Sequence, residues 1–243
     1  MTDDGVFDED VAKTYDQDHG GTGSKHVEDT VNFLADLAGT GTVLEFAIGT
    51  GRIALPLKKK CQAVKGIELS QAMVDQLRLK ETDAPIEVYV GDMTTTQVPG
   101  SFSLVFLVFN TIDNLTTQQQ QVACFKNAAR HLSDGGRFVV ETQVPPLQHL
   151  PYGETQRAFA CDETHFGIDE FNIATQEYAS NHVWMDAGKH KHLRVPFRYV
   201  WPSELDLMAK LSGMELEERW ADWDKSSFDN LSKKHVSVWK KTS

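Results

Sequence analysis

Residues 43–57 read VLEFAIGTGRIALPL, and this stretch decides the fold. An apolar run carries Glu45 in its middle, breaks at Gly49 and Gly51, and then resumes with the apolar spacing of a helix. A strand that turns through glycines into a helix is typical of nucleotide-binding parallel sheets. The spacing Gly49-x-Gly51-x-x-Ala54 satisfies the loose fingerprint of nicotinamide enzymes, so the glycines alone leave the ligand undecided.

Strand patterns alternate with helix patterns on both sides of this turn. Strands are predicted at 42–47, 63–69, 86–92, 102–110 and 135–142, and helices at 25–38, 52–60, 70–80 and 117–132. Ser70 is the expected N-cap of one helix, and Thr117 with Gln120 forms the capping-box signature of another. Such alternation predicts a parallel sheet covered by helices.

After residue 146 the pattern changes. Residues 147–200 hold short alternating runs, which predict an antiparallel insertion with hairpins, one of them turning near residues 186–188. A further helix, for which Ser203 is the expected cap, and two antiparallel strands follow. The sequence thus predicts three parts: a mobile N-terminal arm over residues 1–24, an α/β domain formed by residues 25–146 and 201–243, and a β-rich cap over residues 147–200.

Composition restricts the functional classes. The formal net charge is −11, and a surface that negative repels phosphate backbones, so nucleic acid is not expected as a substrate. Cys61, Cys124 and Cys161 are scattered without C-x-x-C spacing, and no H-x-x-x-H pair supports a metal site, so none is expected. The acidic beginning and the lack of a run of about 20 apolar residues predict a cytoplasmic protein without a membrane anchor.

Acids near the strand ends discriminate between ligands. Glu45 lies four residues before Gly49, and a carboxylate beside a pyrophosphate costs on the order of a few kcal/mol in a site of low dielectric. A cationic ligand removes this conflict. Glu68 ends the second strand, nineteen residues after Gly49, where an acid accepts ribose hydroxyls. Asp92 ends the third strand at a position suited to an exocyclic amine. Together these acids predict a ligand with a positive tail, a ribose and an adenine, which describes S-adenosylmethionine.

The stretches VLEFAIGTGR, GIELSQAM, VGDM and LVFLVFN, in this order and spacing, resemble the class I S-adenosylmethionine-dependent methyltransferases. The resemblance covers roughly residues 42–142 and is greatest to small-molecule methyltransferases, including the amino-sugar N-methyltransferases. It implies a Rossmann-like parallel sheet with closing antiparallel strands, S-adenosylmethionine as cofactor and S-adenosylhomocysteine as product. It also implies methyl transfer to nitrogen or oxygen of a small-molecule acceptor.

Carried over by position, the resemblance implies a set of cofactor-binding residues: Tyr15, Glu45, Gly49, Gly51, Arg52, Glu68, Leu69, Met73, Asp92, Met93, Phe109 and Asn110. The two glycines would admit the methionyl part, which Glu45 would order directly or through water. Tyr15 would close over the cofactor. Arg52 would either pair with the cofactor carboxylate or be solvated.

The acceptor side offers fewer signals. Asn110 would border the transferred methyl group, and His165 and His182 are the candidate catalytic bases because aromatic residues flank them. Both histidines could also be structural. Asp113 and Asn114 either line the acceptor pocket or form a polar turn. The sequence does not indicate the oligomeric state.

Two departures from the family pattern and two alternative functions remain. Ala47 stands where the family often has glycine, and FNTID at 109–113 replaces the Asn-Pro-Pro-Tyr type, which argues against nucleic-acid adenine as acceptor. The alternatives are a non-catalytic S-adenosylmethionine-binding sensor or partner protein and, with less support, an NAD(P)-dependent oxidoreductase.

Overall fold

The apolar strand Phe102–Leu107 lies in the middle of a seven-stranded sheet, as its nearly continuous apolar sequence predicts. The computed structural model describes residues 7–18, 23–82, 84–186 and 189–242. Numbered along the chain, its strands are β1 Thr42–Phe46, β2 Ala63–Glu68, β3 Glu87–Val90, β4 Phe102–Leu107, β5 Leu132–Gln143, β6 Gln156–Cys161, β7 His165–Asn172, β8 Glu177–Asp186, β9 Lys189–Arg198, β10 Met214–Trp220 and β11 Lys234–Lys241.

The large sheet has the order β10-β11-β5-β4-β1-β2-β3. Strands β1 to β5 pair in parallel, whereas β11 is antiparallel to both β5 and β10. The predicted fold class, a mostly parallel Rossmann-like sheet with two closing antiparallel strands, is confirmed. The strand order reverses between β1 and β4, and ligands of open α/β sheets bind beside the carboxyl ends of the strands at such a point.

The described helices are α1 Glu9–Asp18, α2 Lys25–Ala38, α3 Ala54–Lys58, α4 Gln71–Lys80, α5 Gln118–His131 and α6 Pro202–Leu211. Short 3₁₀ helices lie at Thr111–Asn114 and Pro146–His149. Apolar side chains of α2, α3 and α4 fill the core on one face of the large sheet, and those of α5 and α6 fill the core on the other. Within the described residues, no helix combines the length and apolar character needed to cross a membrane.

The helix caps test the local sequence signals. The Ser70 hydroxyl accepts the N–H of Met73, and the capping box of Thr117 and Gln120 is complete, so both predictions are confirmed. The prediction for Ser203 was wrong. The cap is Trp201, two residues before Ser203, and helix α6 begins at Pro202, because a proline at the first helical position has no N–H to be capped and already holds a helical φ.

Strands β6 to β9 form a separate four-stranded antiparallel sheet in chain order. Strands β8 and β9 pair as far as Asp186 opposite Lys189, and the predicted turn residues 187 and 188 lie outside the described residues. Phe171, Tyr178 and Tyr199 make a small aromatic core where this sheet meets the rest of the chain. The division of the chain into arm, α/β domain and cap stays a prediction.

The N-terminal segment contains helix α1, which spans Glu9–Asp18. The Asp8 carboxylate accepts the N–H groups of Asp10 and Val11 and so begins α1, while the Ser70 hydroxyl donates to the Phe7 carbonyl at 2.7 Å. Residues 1–6 and 19–22, part of the predicted arm, lie outside the described residues. Helix α1 therefore lies near the end of β2, where α4 starts.

Candidate active site

The turn after β1 requires both of its glycines, for different reasons. Gly49 and Gly51 have φ values of +56° and +77°, in the left-handed region that favours glycine. A Cβ on Gly51 would also lie 2.9 Å from a methyl carbon of Leu77 on α4, whereas a Cβ on Gly49 would meet nothing closer than 3.5 Å. Gly51 thus allows the turn to pack against α4, while Gly49 leaves its outer side accessible.

The carboxylate of Glu68 is bound to this turn. It accepts the N–H of Gly49 at 2.7 Å and that of Ser70 at 2.9 Å, although Glu68 is nineteen residues from Gly49 in sequence. Parallel pairing of β1 and β2 brings these residues together. Because the Gly49 N–H already donates to an anion, a pyrophosphate placed here would have to displace a carboxylate that is 7% exposed.

A cavity of about 370 Å³, here called the smaller cavity, opens beside the turn. Among the residues that line it are seven of the predicted cofactor-binding residues: Tyr15, Gly49, Glu68, Leu69, Met73, Asp92 and Met93. The Asp92 carboxylate accepts the N–H of Thr94 at 2.7 Å, which fixes its orientation after β3. Ala47 also lines the cavity and has a φ of +52°, which explains why glycine is common at this position.

Glu45, Gly51 and Arg52 lie outside the lining of the smaller cavity, so its geometry does not support the predicted direct contact with a cofactor. Burial raises the pKa of the Glu45 carboxyl well above its usual range, against the opposing charge of Arg52. Within the described part of the chain, Glu45 Oε2 has no hydrogen-bond partner, so the cost of burying this oxygen is not offset there. Of the two acids, Glu68 is the one that lines the smaller cavity and accepts a hydrogen bond from the glycine turn.

A second cavity, the larger cavity, has a volume of about 1060 Å³. It is lined by residues of α1, of the segment after β4, of the end of β5 and of one face of the four-stranded sheet. Among them are Phe109, Asn110, Gln143, His165, Asp169, Tyr178, Ser180, His182, Trp184 and Lys191. Phe7, Tyr15, Thr111, Asn114 and Val195 line both cavities. The two cavities are therefore adjacent, and Tyr15 lies between them.

Phe109 and Asn110 have φ values of +63° and +58°, an uncommon conformation for two consecutive residues with side chains. Three hydrogen bonds from the neighbouring strand β5 hold them. The Phe109 N–H donates to Glu141 Oε2 at 2.9 Å, the Asn110 N–H to the Glu141 carbonyl, and the Gln143 N–H to Asn110 Oδ1 at 2.7 Å. The Arg52 guanidinium lies 4.3 Å from the centroid of the Phe109 ring. Both residues thus belong to the wall of the larger cavity.

His165 and His182 meet in the larger cavity. Nε2 of His165 lies 3.0 Å from Nδ1 of His182, and both rings are nearly parallel to the indole of Trp184. One nitrogen of this contact must donate and the other must accept, so the pair shares a single proton there. Burial, and then the adjacent His165, lowers the pKa of His182. The structure thus brings the two predicted bases together, on the face that also carries Asp169 and Ser180.

Sequence reasoning missed Glu141, Gln143 and Tyr178. The first two end β5 in VVETQ, and polar residues at the carboxyl end of a strand next to β4 were a usable signal. Tyr178 lies four residues before His182 on the same strand, so the alternation of side chains already placed it on the same face. Asn114 lines both cavities, whereas Asp113 lies behind the wall.

Comparisons with known proteins agree with this geometry. Residues 43–136 match the family described as a methyltransferase domain. The S-adenosylmethionine-bound structure of CalS10, an amino pentose methyltransferase from Micromonospora echinaspora, has the same fold, with a TM-score of 0.72 at 19% identity, covering 94% of this chain and 97% of that one. The CcbJ methyltransferase from Streptomyces caelestis reaches a TM-score of 0.84 at 32% identity, covering 96% of both chains. The chain belongs to the S-adenosylmethionine-dependent methyltransferases.

The methyltransferase is also similar to a dTDP-3-amino-3,4,6-trideoxy-alpha-D-glucopyranose N,N-dimethyltransferase from Streptomyces venezuelae. The two are 30% identical over 141 residues, which span 56% of this chain and 58% of the relative. The smaller cavity fits S-adenosylmethionine, since it offers two carboxylates for hydrogen bonds, apolar side chains and a negative charge beside the glycine turn. The alternative of an NAD(P)-dependent oxidoreductase is not supported.

Proposed function

We propose that this methyltransferase methylates an amine nitrogen of a small molecule bound in the larger cavity. The observation that carries the proposal is the contact between the two cavities at Tyr15, Thr111 and Asn114. A methyl donor in the smaller cavity and an acceptor in the larger one would meet there. Positioning contributes a large part of the catalysis of such a displacement, because both reactants are held in line and water is excluded.

The proposed role of each cofactor-binding residue follows from its position in or beside the smaller cavity. Glu68 would hold the ribose, Asp92 the adenine amine, and Leu69, Met73 and Met93 would cover the adenine faces. Gly49 would admit the methionyl part close to the backbone. Glu45, Gly51 and Arg52 would act indirectly, by holding the turn in shape. S-adenosylmethionine supplies the methyl group from its sulfonium to a lone pair of the acceptor.

An amine is the proposed acceptor because of what the similar proteins methylate. The relative from S. venezuelae is an N,N-dimethyltransferase of an amino sugar, and CalS10 is an amino pentose methyltransferase. An amine must have lost its extra proton before the transfer, since only the neutral form has a lone pair. Nucleic acid is excluded from the proposal because the chain has a net charge of −11.

His165 and His182 are the proposed bases, which would take the proton that an ammonium carries on entry. Their shared proton leaves one ring nitrogen able to accept another, and burial lowers the pKa of His182 below its usual value. Phe109 and Asn110 would form the wall near the transferred methyl group. Asn110 then positions the acceptor, and its backbone conformation is fixed by Glu141.

The test is methyl transfer from labelled S-adenosylmethionine to four defined acceptors: a primary alkylamine, a secondary alkylamine, a 3-amino-3-deoxyhexoside and a tripeptide with a free N-terminus. Matched hydroxyl compounds serve as controls. We expect N-methylated product from at least one amine and slower reaction of its hydroxyl counterpart. Methylation of hydroxyl compounds alone, or binding of S-adenosylmethionine without any product, would contradict the proposal.

A further inference from the structure

Behind the wall of the larger cavity, three side chains surround a buried carboxyl group. Asp113 Oδ2 accepts hydrogen bonds from Gln143 Nε2 at 3.1 Å and from the Tyr178 hydroxyl at 3.2 Å, and Oδ1 accepts one from the Thr142 hydroxyl at 3.4 Å. Asp113 is only 1% exposed. Tyr178 and Gln143 line the larger cavity, whereas Asp113 does not. The carboxyl group therefore reaches the cavity only through these neighbours.

The hydrogen-bond directions fix the state of the tyrosine. Gln143 Nε2 donates to the Tyr178 oxygen at 2.8 Å, and the Tyr178 proton is directed to Asp113. A phenolic oxygen donates once and retains a second acceptor position. The hydroxyl proton of Tyr178 is thus directed to Asp113 and away from the cavity. Towards a bound molecule, the Tyr178 oxygen can therefore accept a hydrogen bond but cannot donate one.

Tyr178 lies close to the junction of the two cavities, which is the proposed site of methyl transfer. Asp113 belongs to the same 3₁₀ turn as Thr111 and Asn114, which line both cavities. On β8, Tyr178 lies two residues from Ser180, whose partner on β9 is Val195, another residue shared by both cavities. The tyrosine is therefore beside the junction of the two cavities.

We infer that Tyr178 binds an N–H of the acceptor and that Asp113 acts through it as a positioning residue. This inference rests on the proposed function. An N–H donated to Tyr178 leaves the nitrogen lone pair pointing in another direction, available to the methyl donor. Acceptors that donate no hydrogen bond from the reacting atom would lose this orientation. The same pair would thereby favour acceptors whose reacting atom carries a hydrogen.

The ionisation of Asp113 controls this arrangement. Burial raises its pKa to about 7, against the hydrogen bonds of Gln143, Tyr178 and Thr142 and the charge of Arg198. Besides Arg198 at the end of β9, the charge of Asp169 on β7 also acts on the pair, and it raises the pKa of Tyr178. Above this pH the carboxylate holds the Tyr178 proton. Below it, the protonated carboxyl group can donate to the Tyr178 oxygen and turn the tyrosine proton towards the cavity.

The experiment compares the wild type with Tyr178→Phe, Asp113→Asn and a control, Tyr199→Phe. Tyr199 belongs to the same aromatic core but lines neither cavity. Protein labelled with ¹³Cζ-tyrosine is titrated with the four amines in the presence of S-adenosylhomocysteine, and the signal missing from Tyr178→Phe identifies Tyr178. This readout requires no turnover.

In the wild type and in Tyr199→Phe, we expect at least one amine to shift the Tyr178 signal at pH 8 and to shift it less at pH 6. In Asp113→Asn the pH dependence should be lost, because an amide cannot take up the proton. For an amine that is turned over, kcat should fall roughly tenfold in both site variants, as expected for one lost orienting hydrogen bond.

The inference is overturned if no amine moves the Tyr178 signal of the wild type, or if Asp113→Asn keeps the pH dependence. Failure of the proposed function would give a different result: none of the amines would be methylated, whatever the Tyr178 signal does.

Discussion

The carboxylate of Asp16 on α1 accepts the hydroxyl of Thr50, in the glycine turn, at 2.6 Å. It also accepts the ammonium of Lys80, at the end of α4, at 2.5 Å. Although partial burial alone would raise it, these two hydrogen bonds hold the pKa of Asp16 below its ordinary value. Asp16 therefore ties the helix that carries Tyr15 to the turn that lines the smaller cavity.

The substitution Asp16→Ala should weaken the binding of S-adenosylmethionine. Loss of this partly exposed tie costs roughly 1 kcal/mol, which corresponds to about fivefold in the dissociation constant if α1 must be in place for binding. Calorimetric titration measures the change. Glu9→Ala removes an exposed pair with Lys13 on the same helix and is the matched control. Equal affinities of the two variants would show that the contacts of Asp16 with Thr50 and Lys80 do not contribute to binding.

Glu68→Gln should reduce affinity for S-adenosylmethionine on the order of tenfold, without creating affinity for NAD(P)H. A carboxylate accepts both N–H groups, whereas an amide accepts with its oxygen alone and places an N–H donor against the other. Thermal shift with each ligand provides the comparison. Glu87→Gln changes an exposed carboxylate on β3, so its shifts should match those of the wild type. If Glu68→Gln retained wild-type affinity, Glu68 would not contribute to the binding of S-adenosylmethionine.

Ala47→Gly should stabilise the fold by about 0.5 to 1 kcal/mol, because glycine relieves the positive φ of this residue. The greater freedom of glycine in the unfolded chain offsets part of the gain. Urea unfolding measures the difference. The contrasting control is Ala35→Gly inside α2, where glycine should cost about 1 kcal/mol. Destabilisation by both substitutions would mean that the Ala47 side chain contributes packing that outweighs its strain.

His235 should make stability depend on pH. Burial lowers its pKa to about 3, helped by the charge of Arg219 and opposed by that of Asp206. The unfolded chain, with an ordinary histidine pKa of about 6.5, binds a proton that the folded chain excludes. The contribution of His235 to stability is thus fully present above pH 6.5 and is lost as the pH falls towards 3.

The substitution His235→Gln should remove this component, so the stability difference between variant and wild type should change between pH 7 and pH 4. Each pKa unit corresponds to about 1.4 kcal/mol, and the change should favour the variant at the lower pH. Denaturant unfolding at several pH values provides the measurement. A difference that stays constant with pH would mean that His235 is protonated in the folded protein.

Much of the fold was predictable because its signals are local or periodic. The apolar run at 102–107, the cap at Ser70 and the capping box at Thr117 each depend on neighbouring residues, and all three were confirmed. The start of α6 was missed because a proline preceding Ser203 competes for the same helix end. At the candidate site, the positions after β1, β2 and β3 were predictable because parallel strands end at one edge of the sheet.

The sequence by itself determined the parallel sheet, the glycine turn and a nucleoside site with acids nearby, since these follow from alternation, spacing and backbone freedom. Only the tertiary structure decided which acid lines the smaller cavity. Burial raises the pKa of Glu45, whereas the pairing of β1 with β2 brings the Glu68 carboxylate to the Gly49 N–H. It also joined Asp113 to Tyr178 across 65 residues. Such relationships depend on desolvation and on contacts between distant elements, and neither leaves a periodic pattern in the chain.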